Sequence, residues 1–196
     1  MRTRRAISTA AAAQDVQTLA AGVGLMRQRS ATRKRDPLGW WYQSRIHGNP
    51  QGSEHHAGEP RDWDQCQHGS WFFLPWHRMY LLQFERIISV LTGRPDFALP
   101  YWDYKHPADA VAPPAFKDAN SPLFDATRQL QPLPQPPQQW AQAGSFVRMG
   151  GDKRTTPAHN GEGPGLLEQN PHNLVHAHVG GARVRDSSCL RIRSRR

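Results

Sequence analysis

Two cysteines, Cys66 and Cys189, are too few in 196 residues for a disulfide framework. That excludes the small stapled folds of secreted proteins. Long apolar runs are missing too, so nothing in the chain reads as a membrane span. The alanine-rich stretch after the basic start Met1-Arg-Thr-Arg-Arg meets Gln14 and Asp15 too soon for a secretory signal. A cytoplasmic protein with no membrane partner is the expectation. Positive charge is lacking where a nucleic-acid groove would need it. The net charge is +9, yet residues 2–35 hold eight basic groups against one acid, residues 182–196 hold six arginines against Asp186, and the middle has more acids than bases. A binding groove needs basic groups spread over a folded face, so nucleic acid is not an expected partner.

What is present reads as one mainly α-helical domain, long enough to bury a core. Val16, Leu19, Ala20, Val23 and Met26 recur at three- and four-residue spacing and predict a helix over 11–28. Ser30 to Arg35 is a basic break. Asp36-Pro37 is a turn signal, and a short aromatic helix follows it to His47. Residues 48–62 are polar and glycine-rich, hence loop. Pro75 suits the opening of the next helix, where a missing N–H costs little. That helix runs through Met79, Leu82, Phe84 and Ile87 to about Leu91, with Gly93 as its stop. Residues 107–165, dense in Pro, Gly, Gln and Asn, read as a long irregular excursion over the surface.

Histidine carries the chemistry. His172 and His176 are four apart, so on one helix both rings face the same way and can share a metal. Pro171 fits the first turn of that helix, with Asn170 as its cap. His178, about 240° around from His172, points elsewhere. His68 and His77 are nine apart, on opposite faces of any continuous helix; a turn before Pro75 lets both converge, His77 from the first turn of the new helix. His47 completes a set of three. His55 and His56, in the polar loop, are given no role. Neutral imidazole ligates copper, zinc, iron or nickel, so histidine alone does not choose the metal. The aromatic residues around His77 (Trp71, Phe72, Phe73, Trp76, Tyr80, Phe84) read first as core.

The ordered combination resembles the common central domain of the tyrosinases, catechol oxidases and related polyphenol oxidases, over roughly residues 10–181. The residues that carry it are His47, His68 and His77 followed by Arg-Met-Tyr-Leu, Phe84-Glu85, Leu-Pro-Tyr-Trp-Asp at 99–103, and His172 and His176 followed by Val-Gly-Gly at 179–181. The resemblance implies an antiparallel four-helix-bundle core around a binuclear, oxygen-binding copper centre. It implies copper A on His47, His68 and His77, and copper B on His172 and His176. Cys66-Gln67-His68 has the Cys-x-His form of members that join this cysteine to the copper A histidine by a thioether, which would fix the ring. Glu168 and Asn173 match the pair that holds a water to take the phenol proton, which favours hydroxylation of monophenols. The substrates implied are a phenolic or catecholic small molecule and dioxygen; oligomeric state and any copper-chaperone partner are not legible.

One feature departs from the family. Copper B normally takes a third histidine from a segment resembling Asp-Pro-x-Phe-x-x-His-His, and no histidine follows His178. The expected organisation is a basic segment and helix at 1–35, an incomplete copper domain at 36–181, and an aberrant arginine-rich tail at 182–196. The tail reads as a frameshift product with a premature stop, a reading that genomic DNA lacking the Asp-Pro-x-Phe-x-x-His-His stretch in every nearby frame would end. The last bundle helix is expected to be missing, and activity impaired.

Overall fold

The structure, a computed structural model, describes residues 2–48, 62–128, 132–133, 139–152 and 163–179. Its helices are α1 (Ala13–Thr32), α2 (Trp40–His47), α3 (Phe73–Thr92), α4 (Phe146–Gly150) and α5 (Asn173–Val179), with short 3₁₀ turns at Ala10–Ala12, Pro107–Asp109, Pro114–Phe116 and Gln139–Gln142. The fold is mainly helical. An isolated parallel bridge joins Ala6 to Tyr101. No described helix is long and apolar enough to cross a membrane.

The chain divides into two compact units. The first takes Met1–Gln43, Arg78–Ala126 and Leu130–Gln135; the second takes Ser44–His77, Thr127–Gln129 and Pro136–Arg196. In the first, Leu19, Val23 and Met26 of α1 bury against Ile88 of α3, Phe97 and Leu123. Gly22 makes the approach close: a Cβ there would lie 2.6 Å from Ile88 Cδ1. Val16 and Ala20, read from the sequence as part of the apolar face, are only half-buried, and Asp15 and Thr18 are buried instead. Asp15 is reached by Arg5 at 2.8 Å, and Thr18 bonds its own helix at Gln14 O. A paired polar group is buried without an orphan cost, so the hydropathy pattern alone misplaces this face.

The basic break is shorter than expected, because α1 continues to Thr32. Asp36 then accepts the Leu38 N–H at 2.9 Å and pairs with Arg29 and Arg33. The Leu38 N–H, and after it the two guanidiniums, hold this carboxyl below its ordinary value against the cost of burial. The turn therefore sets α2 with Ser30 Oγ accepting the Trp41 N–H. Helix α3 starts at Phe73, two residues before Pro75, since a proline anywhere in the first turn removes no helical hydrogen bond. It stops at Gly93, φ +67°, with Arg94 N–H bonded to Ser89 O, a left-handed glycine cap. Phe84 and Ile87 pack on the core, whereas Met79 and Leu82 are exposed.

The segment read as a surface excursion also enters the interior. Leu123 joins the core, Ala112, Leu133 and Ala143 are buried, and α4 was not expected at all. In the second unit three stretches are laced by backbone bonds: Trp71 N–H to Asp152 O, Asp152 N–H to Gly163 O and Gly163 N–H to Gly69 O. A side chain on Gly165 would meet the Met149 carbonyl, so that crossing admits only glycine. The loop at 48–62 falls almost wholly outside the described residues, as do His55, His56, the Gly pair at 180–181, Cys189 and the whole arginine-rich tail.

Candidate metal centre

Every histidine singled out for metal binding lies in the second unit. His47 ends α2; the next described stretch returns to it through Asp64 N–H to Arg45 O and Gln65 N–H to Ile46 O. That pairing delivers Cys66 and His68 beside His47. His68 sits in irregular chain before α3 where a turn was expected, and His77 projects from the second turn of α3, not the first. The ring centroids of His47, His68 and His77 are 6.2, 5.7 and 5.4 Å apart pairwise.

His172 comes from the other side. Its helix is not continuous: Glu168–His172 is a wide turn broken at Asn170, which is extended (φ −146°, ψ 122°) with a cis bond to Pro171. The expected cap residue is therefore a kink, bridged by Asn173 N–H to Glu168 O. The geometry of the pair survives. His172 and His176 bring their Nε2 atoms to 3.1 Å. His172 lies 5.5 and 5.7 Å from the His68 and His77 rings, as near as those two are to each other. His178 turns away and bonds Leu174 O through Nδ1.

The donor set fits a metal. His77 Nδ1 is 2.7 Å from the Phe73 carbonyl, so it carries the proton and leaves the Nε2 lone pair outward. His172 Nδ1 does the same with Asn173 Oδ1 at 3.0 Å. Burial above all, with help from neighbouring imidazoles and despite the Phe73 bond, lowers His77 to about 4. Burial and His176 lower His172 to about 3. Both rings are neutral at pH 7, the state that ligates. Among the described residues two groups of donors, His47, Cys66 and His77, and His68, His77 and His172, each have their ligand atoms within 4.8 Å of one another.

Glu168 is 4% exposed, and both its oxygens stand 2.9 Å from the Gly69 N–H. Burial pushes its carboxyl up, partly offset by that N–H and by His68. The sequence placed Glu168 here but missed its anchor, Gly69. It also read Phe73 and Trp76 as plain core. Phe73, 5% exposed, has its ring 4.4 Å from His77 and 4.8 Å from His172; the Trp76 ring is 4.9 Å from His77 and 5.9 Å from His47. The missed signal was spacing: Phe73 is four residues before His77, on the same face.

Residues 37–150 match the common central domain of tyrosinase. The chain belongs to the tyrosinase family. The matched stretch holds His47, His68 and His77 and ends before His172. A tyrosinase from Hahella sp. is 33% identical over 191 residues, covering 75% of this chain and 41% of the relative. Polyphenol oxidase B of Solanum lycopersicum is 36% identical over 132 residues, 66% of this chain and 22% of the relative. The crystal structure of Grenache (Vitis vinifera) polyphenol oxidase superposes with a TM-score of 0.73 at 28% identity, covering 92% of this chain and 60% of that one. The chain thus spans less than half the length of these curated relatives. The family is one of copper oxidoreductases acting on phenols with dioxygen, and the imidazole cluster is consistent with that chemistry.

Proposed function

We propose that the chain is a type-3 copper oxidoreductase, with copper A on His47, His68 and His77 and copper B on His172 and His176. Its reaction is ortho-hydroxylation of monophenols and oxidation of catechols to ortho-quinones. The observation that carries this reading is five imidazoles converging in one cluster, His68 buried and the other four half-buried, two of them with the ring proton fixed on Nδ1 by Phe73 O and Asn173 Oδ1. Copper, when bound, supplies the binding and reduction of dioxygen.

The rest falls to the chain. Phe73 and Trp76 wall the imidazoles and exclude water, and they offer flat apolar surface to a phenol ring. Glu168, with its raised affinity for a proton, accepts the phenol proton through a water, and the Gly69 N–H holds its carboxylate in place beside His68. Asn173 spends its oxygen on His172 and keeps its amide N–H groups for that water. Cys66 stands 3.5 and 3.8 Å from the two nitrogens of His68, an approach to the ring carbon between them that a thioether needs; forming it is a two-electron oxidation that removes the S–H and C–H hydrogens, with dioxygen as the acceptor.

Residues 1–196 supply copper B with two imidazoles, His172 and His176. A chain of these residues alone is expected to hold fewer than two copper ions and to turn phenols over slowly. The alternative is a copper-binding remnant with no turnover, favoured by how closely His172 crowds His68 and His77. Copper analysis with oxygen uptake on a monophenol and a catechol separates them. Quinone formation supports the oxidase; tight copper binding with no uptake on either substrate supports the remnant.

A further inference from the structure

The sulfur of Cys66 lies inside the histidine cluster. Its residue is fully buried, and Sγ stands 3.3 Å from His47 Nε2 and 3.4 Å from His77 Nε2. A cation held by sulfur at about 2.3 Å and by imidazole at about 2.0–2.1 Å, near the tetrahedral angle, separates the two donors by about 3.5 Å. The spacing is therefore that of donors to a shared ion. The His77 proton is on Nδ1, so its Nε2 lone pair points to the same place. His68 offers no such lone pair to this point, because the sulfur is nearly equidistant from both its nitrogens.

We propose that His47, Cys66 and His77 form a site of two imidazole nitrogens and one sulfur for a soft cation, cuprous copper above all, in which the Cys66 thiolate is a metal ligand in any chain not yet bonded to His68. The proposal rests on reading the cluster as a metal centre and deepens it. Thiolate selects cuprous copper and zinc over harder ions, whereas three imidazoles do not discriminate as sharply. Binding replaces the S–H bond by a sulfur–metal bond, and the proton leaves to buffer. His77 has one lone pair to give, so the sulfur site and the His68–His77–His172 group compete for it. Removing His68 therefore spares the sulfur site.

The test uses the full chain, expressed without copper and carrying Cys189→Ser so that Cys66 is the sole thiol. Cobalt(II) is added anaerobically and the near-ultraviolet sulfur-to-cobalt charge-transfer band is followed. The band is expected in the parent and in His68→Ala. It is expected to be lost in Cys66→Ser and in His47→Ala, with circular dichroism confirming that each variant is folded. Stoichiometric cuprous copper should bleach it. Cobalt bound without the band means imidazoles alone hold the metal, which overturns the proposal and leaves the copper A reading standing. Loss of the band in folded His68→Ala, or a band that cuprous copper does not bleach, also overturns it. A folded chain that binds no cobalt overturns both readings.

Discussion

Single atoms decide what this cluster can hold. A protonated Nδ1 on His77 and on His172 presents Nε2 to the centre, and each proton is fixed by an acceptor one to four residues away in sequence. Glu168 is tied to the same shell by the backbone of Gly69. Glu168→Ala leaves that buried N–H without an acceptor and is expected to cost about 1–3 kcal/mol, while Glu168→Gln keeps one oxygen and costs less. Urea unfolding of the metal-free chain measures both; equal losses would show that the bond does not matter. Glu85 gives a pH dependence. Burial pushes its carboxyl up, but Arg4 at 2.7 Å and the Leu99 N–H outweigh this and hold it below its ordinary value. A carboxyl lowered on folding contributes stability above its unfolded value, about 4.5, and loses it as pH falls through the folded one. Arg4→Gln should therefore lower stability at pH 7 and flatten the acid loss. An unchanged acid profile would contradict the pairing. At this scale Glu168 and Asn173 were singled out by the family resemblance, from their places four residues before His172 and directly after it. Gly69 was not, since a backbone N–H declares itself only when chain segments meet, and Phe73 was signalled only by its four-residue spacing from His77.

Among the helices, two glycines set the packing and the stop. Gly22 lets Ile88 close onto α1, with a Cβ there 2.6 and 2.9 Å from its side-chain carbons. Gly22→Ala should destabilise by about 1–3 kcal/mol through overpacking, and Ile88→Ala should remove most of that penalty in the double variant. Additive losses in thermal unfolding would refute the contact. Gly93, at φ +67° with open space around it, is a pure backbone case: Gly93→Ala should cost about 1–2 kcal/mol without altering the metal centre. The helices α1, α2 and α3 were legible from apolar spacing and turn signals. Their details were not. Buried Asp15 and Thr18 are hidden from a hydropathy pattern by their partners, and the exposed Met79 and Leu82 look like core until the packing of α3 is known. The kink at Asn170 escaped because Asn-Pro also reads as a cap and a first turn.

The whole chain gathers donors that are far apart in sequence, His47 and Cys66 to His77 and His172 to His176, within one of its two units. The order of these residues, more than any one of them, made the family legible; composition and charge did not indicate copper. Copper binding by this cluster is what all of these residues are assembled for in the proposed function. The direct measurement is copper per chain in the purified protein and in His77→Ala, each checked for folding and assayed for oxygen uptake with a catechol. Bound copper is expected in the parent and its loss in His77→Ala, the one residue shared by both donor groups. A folded parent that binds no copper, or a folded His77→Ala that keeps it all, would show that the cluster is not a copper site.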